Sequence, residues 1–102
     1  MYRVIYTHRV RNQISDQVAY FKRQNVSIEV IEDWTTRLME KIESLYDWPL
    51  RYPVAEVEST ARGVEVRKMS FGNYLVTYRV DETAKTVEVL SFRHGARRSE
   101  FE

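Results

Sequence analysis

The sequence predicts an α+β fold: an N-terminal strand and an antiparallel helical hairpin packed on an antiparallel sheet, which ends in a C-terminal three-strand meander. Three observations predict it. Apolar residues recur every three or four positions from Val10 to Leu45, alternate with polar ones after Val64, and the two regimes are separated by a stretch with both prolines. At 102 residues the chain has the length of one domain, spanning 1–102. A chain this size buries roughly two thirds of its extended surface, enough for one core without staples.

Residues 2–7 (Tyr-Arg-Val-Ile-Tyr-Thr) are β-branched and aromatic, which predicts a strand. Val10, Ile14, Val18 and Phe21 then mark one apolar stripe on a helix of about four turns. Asn25-Val-Ser breaks that stripe, and Ser27 is placed to cap a second helix with Glu29 and Glu32 in its first turns. Ile28, Ile31, Trp34, Leu38, Ile42 and Leu45 form its apolar face, and Trp48-Pro49 ends it. Residues 49–61 read as a loop. Val64 and Val66, alternating with Glu65 and Arg67, open the next strand, and Phe71-Gly72-Asn73 turns it. Tyr74, Val76, Tyr78 and Val80 share one face of the following strand, opposite Leu75, Thr77 and Arg79. In the last strand Val87 and Val89 point one way and Leu90 and Phe92 the other, so a bulge is expected near Val89-Leu90. The hairpin is expected on one sheet face, leaving the other available, with the position of the first strand open.

Composition narrows the function. Hydrophobic residues make up 43% and charged residues 30%, which is globular rather than disordered. The absence of Cys excludes a disulfide scaffold, a thiolate zinc site and a cysteine nucleophile. No apolar stretch is long enough to span a bilayer, and Met1 leads straight into the strand-like run, so a cytoplasmic protein without membrane association is expected. No glycine-rich phosphate loop and no histidine–acid cluster at ligand spacing occur, so neither a cofactor nor a metal is expected. Net charge is +1, but Arg93, His94, Arg97 and Arg98 fall together with no acid among them. Such a cluster can meet phosphates or an acidic partner, or be a solvated terminus. Trp34 and Trp48 read as core and helix-end packing, and His8 as a capping or surface residue.

Element order and several strings together resemble the RelE/ParE superfamily of toxins from bacterial type II toxin–antitoxin modules. The strings are Leu45 to Pro53, Gly63-Val-Glu-Val-Arg67, Asn73-Tyr-Leu-Val-Thr-Tyr-Arg79-Val-Asp81, and Val87-Glu-Val-Leu-Ser-Phe-Arg93-His94-Gly95-Ala-Arg97. The resemblance implies a toxin neutralised by a cognate antitoxin, forming a toxin–antitoxin hetero-oligomer. The His94-Gly95-Ala96-Arg97 ending looks more like the ParE type, which implies action on DNA gyrase. RelE-like members cut mRNA at the ribosome, and this chain departs from them. Phe101 stands where a tyrosine is usual and offers no hydroxyl, and Tyr52 to Ala61 contains no lysine.

If the chain were such an endoribonuclease, His94 would be the acid or base. Arg67 and Arg79 would clamp the phosphate, and Glu56 or Glu58 would be the general base. The competing reading makes the same side chains structural, with Arg67 and Arg79 in cross-strand ion pairs with Glu65, Glu88 or Asp81. In the gyrase reading, Arg93, Arg97 and Arg98 bind the target or the antitoxin. A degenerate, non-toxic member that only binds its antitoxin is the third possibility.

Overall fold

Strand β1 (Arg3–Tyr6) passes at once into helix α1 (His8–Arg23) because Thr7 caps it, its hydroxyl accepting the Val10 amide at 3.2 Å. A computed structural model describes residues 1–95. Helix α1 ends where Asn25 takes a left-handed φ of 60°, a conformation asparagine tolerates. Ser27 then caps α2 (Ile28–Glu43), accepting the Val30 amide at 3.4 Å. A 3₁₀ turn over Ser44–Tyr46 carries Leu45 into the core before the helix direction is lost, and a second follows at Pro49–Arg51. Strands β2 (Arg67–Phe71), β3 (Tyr74–Asp81) and β4 (Thr86–His94) form the antiparallel meander.

The sheet order is β1-β4-β3-β2. The first strand therefore lies beside the last, parallel to it from Arg3↔Thr86 to Tyr6↔Val89, which makes the sheet mixed as a whole. One face carries the hairpin. Val10 and Ile14 of α1 and Leu38 and Ile42 of α2 pack there on Met69, Val76, Tyr78, Val87, Val89 and Phe92. Trp34 bridges the two layers, its ring 5.0 Å from Phe21 and 5.7–5.9 Å from Tyr74, Phe92 and Phe71.

Three local expectations are corrected, and a fourth, the bulge, is met in its place but not in the face it gives Phe92. Residues 49–61 are not a loop throughout: α3 (Glu56–Arg62) lies within them and is capped by Gly63 at φ 71°. Its acidic first turn, terminal Arg62 and C-capping glycine are helix signals, but seven residues are too few for an apolar stripe. The strand begins at Arg67 rather than Val64, which is exposed. Val66 is buried in a second small cluster with Ala55 and Leu90. The bulge falls at the expected place, since Thr77 pairs with Ser91 and Tyr78 with Val89, skipping Leu90. Its effect is to return Phe92 to the face of Val87 and Val89, leaving Leu90 alone on the other. Trp48 is 62% exposed and does not close the helix end by packing.

Tyr78 reports on this core. Its ring is fully buried and its hydroxyl donates to the Pro49 carbonyl, tying the 3₁₀ segment to the sheet. Burial, opposed in part by the charge of Arg67, pushes the phenol up to about 12. The folded state therefore holds this proton more tightly than the unfolded chain, whose tyrosine titrates near 10. The contribution is whole below pH 10 and is lost as pH rises toward 12. Tyr78→Phe should lower stability by about 1 kcal/mol at neutral pH for the lost hydrogen bond. It should also flatten the decline between pH 10 and 12, measured by urea unfolding at several pH values. An unchanged alkaline slope would refute the assignment.

Candidate functional site

The bulge decides what the end of β4 presents. Phe92 and His94 turn toward the hairpin, while Arg93 between them turns to the opposite face. On the hairpin side Tyr74 stacks on Phe92 with centroids 4.9 Å apart, and His94 sets its ring edge against Tyr74 at 5.4 Å. Gly95 then donates to the Asn73 carbonyl at 2.6 Å. A Cβ at Gly95 would lie 3.0 Å from that oxygen, so glycine is what permits this close approach.

Helix α1 forms the facing wall. Gln13 accepts the Phe92 amide at 2.8 Å and fixes the helix to the strand at this point. Beyond it, Asp16, Gln17 and Tyr20 and the Tyr74–Phe92–His94 group enclose an open cleft of about 540 Å³. The cleft combines an aromatic floor, amide hydrogen-bonding groups, one carboxylate and a histidine, with Arg23 at its rim. A mixed lining of this kind suits a partner side chain with an apolar body and a polar end. Its helix contribution was missed in the sequence, although Gln13, Gln17 and Tyr20 follow a helical spacing beside the apolar stripe.

The other predicted residues lie elsewhere. Arg67 stands opposite Tyr78 and so faces the hairpin side. Its guanidinium donates to the Leu50 and Tyr52 carbonyls at 3.0 and 2.7 Å and to Glu65 at 2.9 Å. Arg79, the next residue after Tyr78, faces the reverse side and pairs with Glu88 at 3.7 Å. His94 is six positions beyond Glu88, or roughly 15–20 Å along the strand. Glu56 is exposed at the start of α3, whereas Glu58 is mostly buried against Arg93, with 3.4 Å between nitrogen and oxygen. Thus α3 covers part of the sheet face that the sequence left open. The structure brings together Arg93 and Glu58, and separately His94 with the cleft. It does not gather His94, Arg67, Arg79 and Glu56 around one point. Arg97, Arg98 and Phe101 lie outside the described residues.

Among the described residues no helix is long and apolar enough to cross a membrane. A search of curated proteins gives no match. The family model described as the ParE toxin of the type II toxin–antitoxin system parDE matches residues 4–99, from the second residue of β1 through every later strand and helix described above. The chain belongs to this family of ParE toxins, and the family implies an antitoxin as its partner.

Proposed function

We propose that this protein inhibits DNA gyrase by contact, breaking no bond itself, and that its cognate antitoxin neutralises it in a toxin–antitoxin complex. The observation that carries this reading is the scatter of the hydrolytic candidates. A phosphorane needs a base, an acid and a cation around one phosphorus atom. Arg67 is instead engaged with two carbonyls and Glu65, Arg79 with Glu88 on the reverse face, and His94 stands away from both. Arg93 is already paired with Glu58, so the charge we assign to meeting an acidic region of the target or the antitoxin is that of Arg97 and Arg98, which the sequence places in a run with no acid.

Two variants test it. His94→Gln should leave growth arrest and gyrase inhibition unchanged, whereas an acid or base at this position would contribute about 10²–10⁴-fold. Arg97→Ala/Arg98→Ala should weaken inhibition, and the wild-type advantage should shrink as salt is raised, as expected of a contact made by charge. The measurements are growth arrest on induction, supercoiling by purified gyrase and primer-extension mapping of mRNA cuts. Translation-dependent cuts that vanish in His94→Gln, with supercoiling untouched, would establish the ribosome and mRNA as the target.

A further inference from the structure

The two edges of the sheet differ, and the β2 edge is only half closed by its own chain. Segment 53–55 runs beside residues 66–68. Ala55 donates to the Val66 carbonyl at 2.7 Å, and Lys68 donates to the Pro53 carbonyl at 3.0 Å. The Lys68 amide therefore points away from β3. The two-residue turn through Gly72 (φ 56°) and Asn73 makes Phe71↔Tyr74 the closing pair of the hairpin, so Ser70, like Lys68, turns its N–H and C=O outward. The covering segment has left the edge before Ser70.

Beside that opening is a groove of about 390 Å³ lined by Lys41, Tyr52, Pro53, Lys68, Ser70 and Leu75. Its only charged groups are the two lysines. Among the described residues neither lysine takes part in an ion pair. Open ladder groups and a cationic lining select one kind of occupant: an extended segment that pairs with the edge and carries carboxylates on its flanks.

We propose that the β2 edge at Ser70 receives a short acidic segment of the antitoxin as an added strand. The Ser70 N–H and C=O pair with its backbone, and Lys41 and Lys68 meet its carboxylates. This rests on the antitoxin being the partner and adds where and how part of it is held. Strand addition accounts for Lys68 on the edge with Lys41 of α2 beside it, and a lysine there also guards the edge against pairing with apolar strands.

The test uses the purified full chain, its antitoxin, and two model peptides of about seven residues that alternate Val with Glu or Val with Lys. The Glu peptide should shift the Ser70 amide resonance and slow its hydrogen exchange, and the Lys peptide should do neither. Ser70→Pro removes the outward N–H at a position where an edge strand tolerates proline. It should weaken binding of both the Glu peptide and the antitoxin by about tenfold, the worth of one ladder hydrogen bond. Lys41→Glu/Lys68→Glu, which alters only side chains, should weaken both by at least as much, most strongly at low salt. Equal antitoxin binding by wild type and both variants would overturn the proposal, as would Glu-peptide shifts confined to residues away from β2. If wild type forms no antitoxin complex, the partner reading fails by itself, and the peptide measurements still decide whether this edge takes an acidic strand.

Discussion

Trp34→Ala is expected to destabilise the protein by about 3–5 kcal/mol, the usual cost of emptying a large aromatic site. Against a total of about 5–15 kcal/mol for a domain, that leaves it folded only marginally. Trp34 sits on α2 and makes edge contacts with Phe21 of α1 at 5.0 Å and with Phe71, Tyr74 and Phe92 on three different strands. Though only partly buried, it is the shared neighbour of four rings, so its loss removes packing from both layers at once, and no single side chain can move to fill the space. Tyr74 and Phe92 are also the floor of the cleft beside His94, so its shape should loosen with the core. Thermal unfolding should show a fall of about 12–40 °C, given about 4–8 °C per kcal/mol for a domain of this size. Trp34→Phe should recover most of it. Fluorescence gives a second readout, because the remaining Trp48 is 62% exposed and should emit as a solvated indole in the folded and unfolded states alike. A fall of only a few degrees for Trp34→Ala would show that the aromatic cluster is not the joint between hairpin and sheet.

The sequence carried the periodic elements because burial writes itself into spacing. The stripe from Val10 to Phe21, the Ser27 cap and the bulge near Leu90 all follow from which side chains must leave water. What it did not carry depends on contacts between distant residues. Nothing in Tyr2 to Thr7 distinguishes pairing with β4 from pairing with β2, because either partner would bury Val4 and Tyr6 equally well. Helix α3 is too short for a stripe and is positioned by Ala55, Val66 and Leu90 and by the Glu58–Arg93 pair, which spans 35 residues of chain. The site was legible as a set of residue types and illegible as geometry. Arg67 and Arg79 look alike on neighbouring strands, and only the register puts them on opposite faces. The cleft at His94 needed the Gln13–Phe92 hydrogen bond between residues 79 positions apart.

Arg67→Met is expected to cost about 2–3 kcal/mol and to act on stability rather than on chemistry. The guanidinium, 17% exposed, satisfies the carbonyls of Leu50 and Tyr52 and pairs with Glu65, while Tyr78 holds the Pro49 carbonyl just beside it. Together these bonds fasten the 3₁₀ segment that presents Trp48 and Leu50 at the surface. Hydrogen bonds to a charged donor contribute about 1.5–3 kcal/mol each, which sets the upper scale. Two effects bring it down. Methionine keeps much of the buried volume, and the Arg67 Nε is buried without a hydrogen-bond partner among the described residues, a cost that the substitution removes. Arg67→Lys should recover little, because one ammonium cannot reproduce the planar fork that reaches both carbonyls and Glu65. If Arg67 clamped a phosphate, the outcome would be reversed: stability nearly unchanged and mRNA cleavage abolished. Measuring the urea midpoint alongside gyrase inhibition and antitoxin binding, at a temperature where the variant is still folded, separates the two. Retained inhibition with a lowered midpoint is the expected result, and a lost activity with an unchanged midpoint would return Arg67 to the active-site candidates.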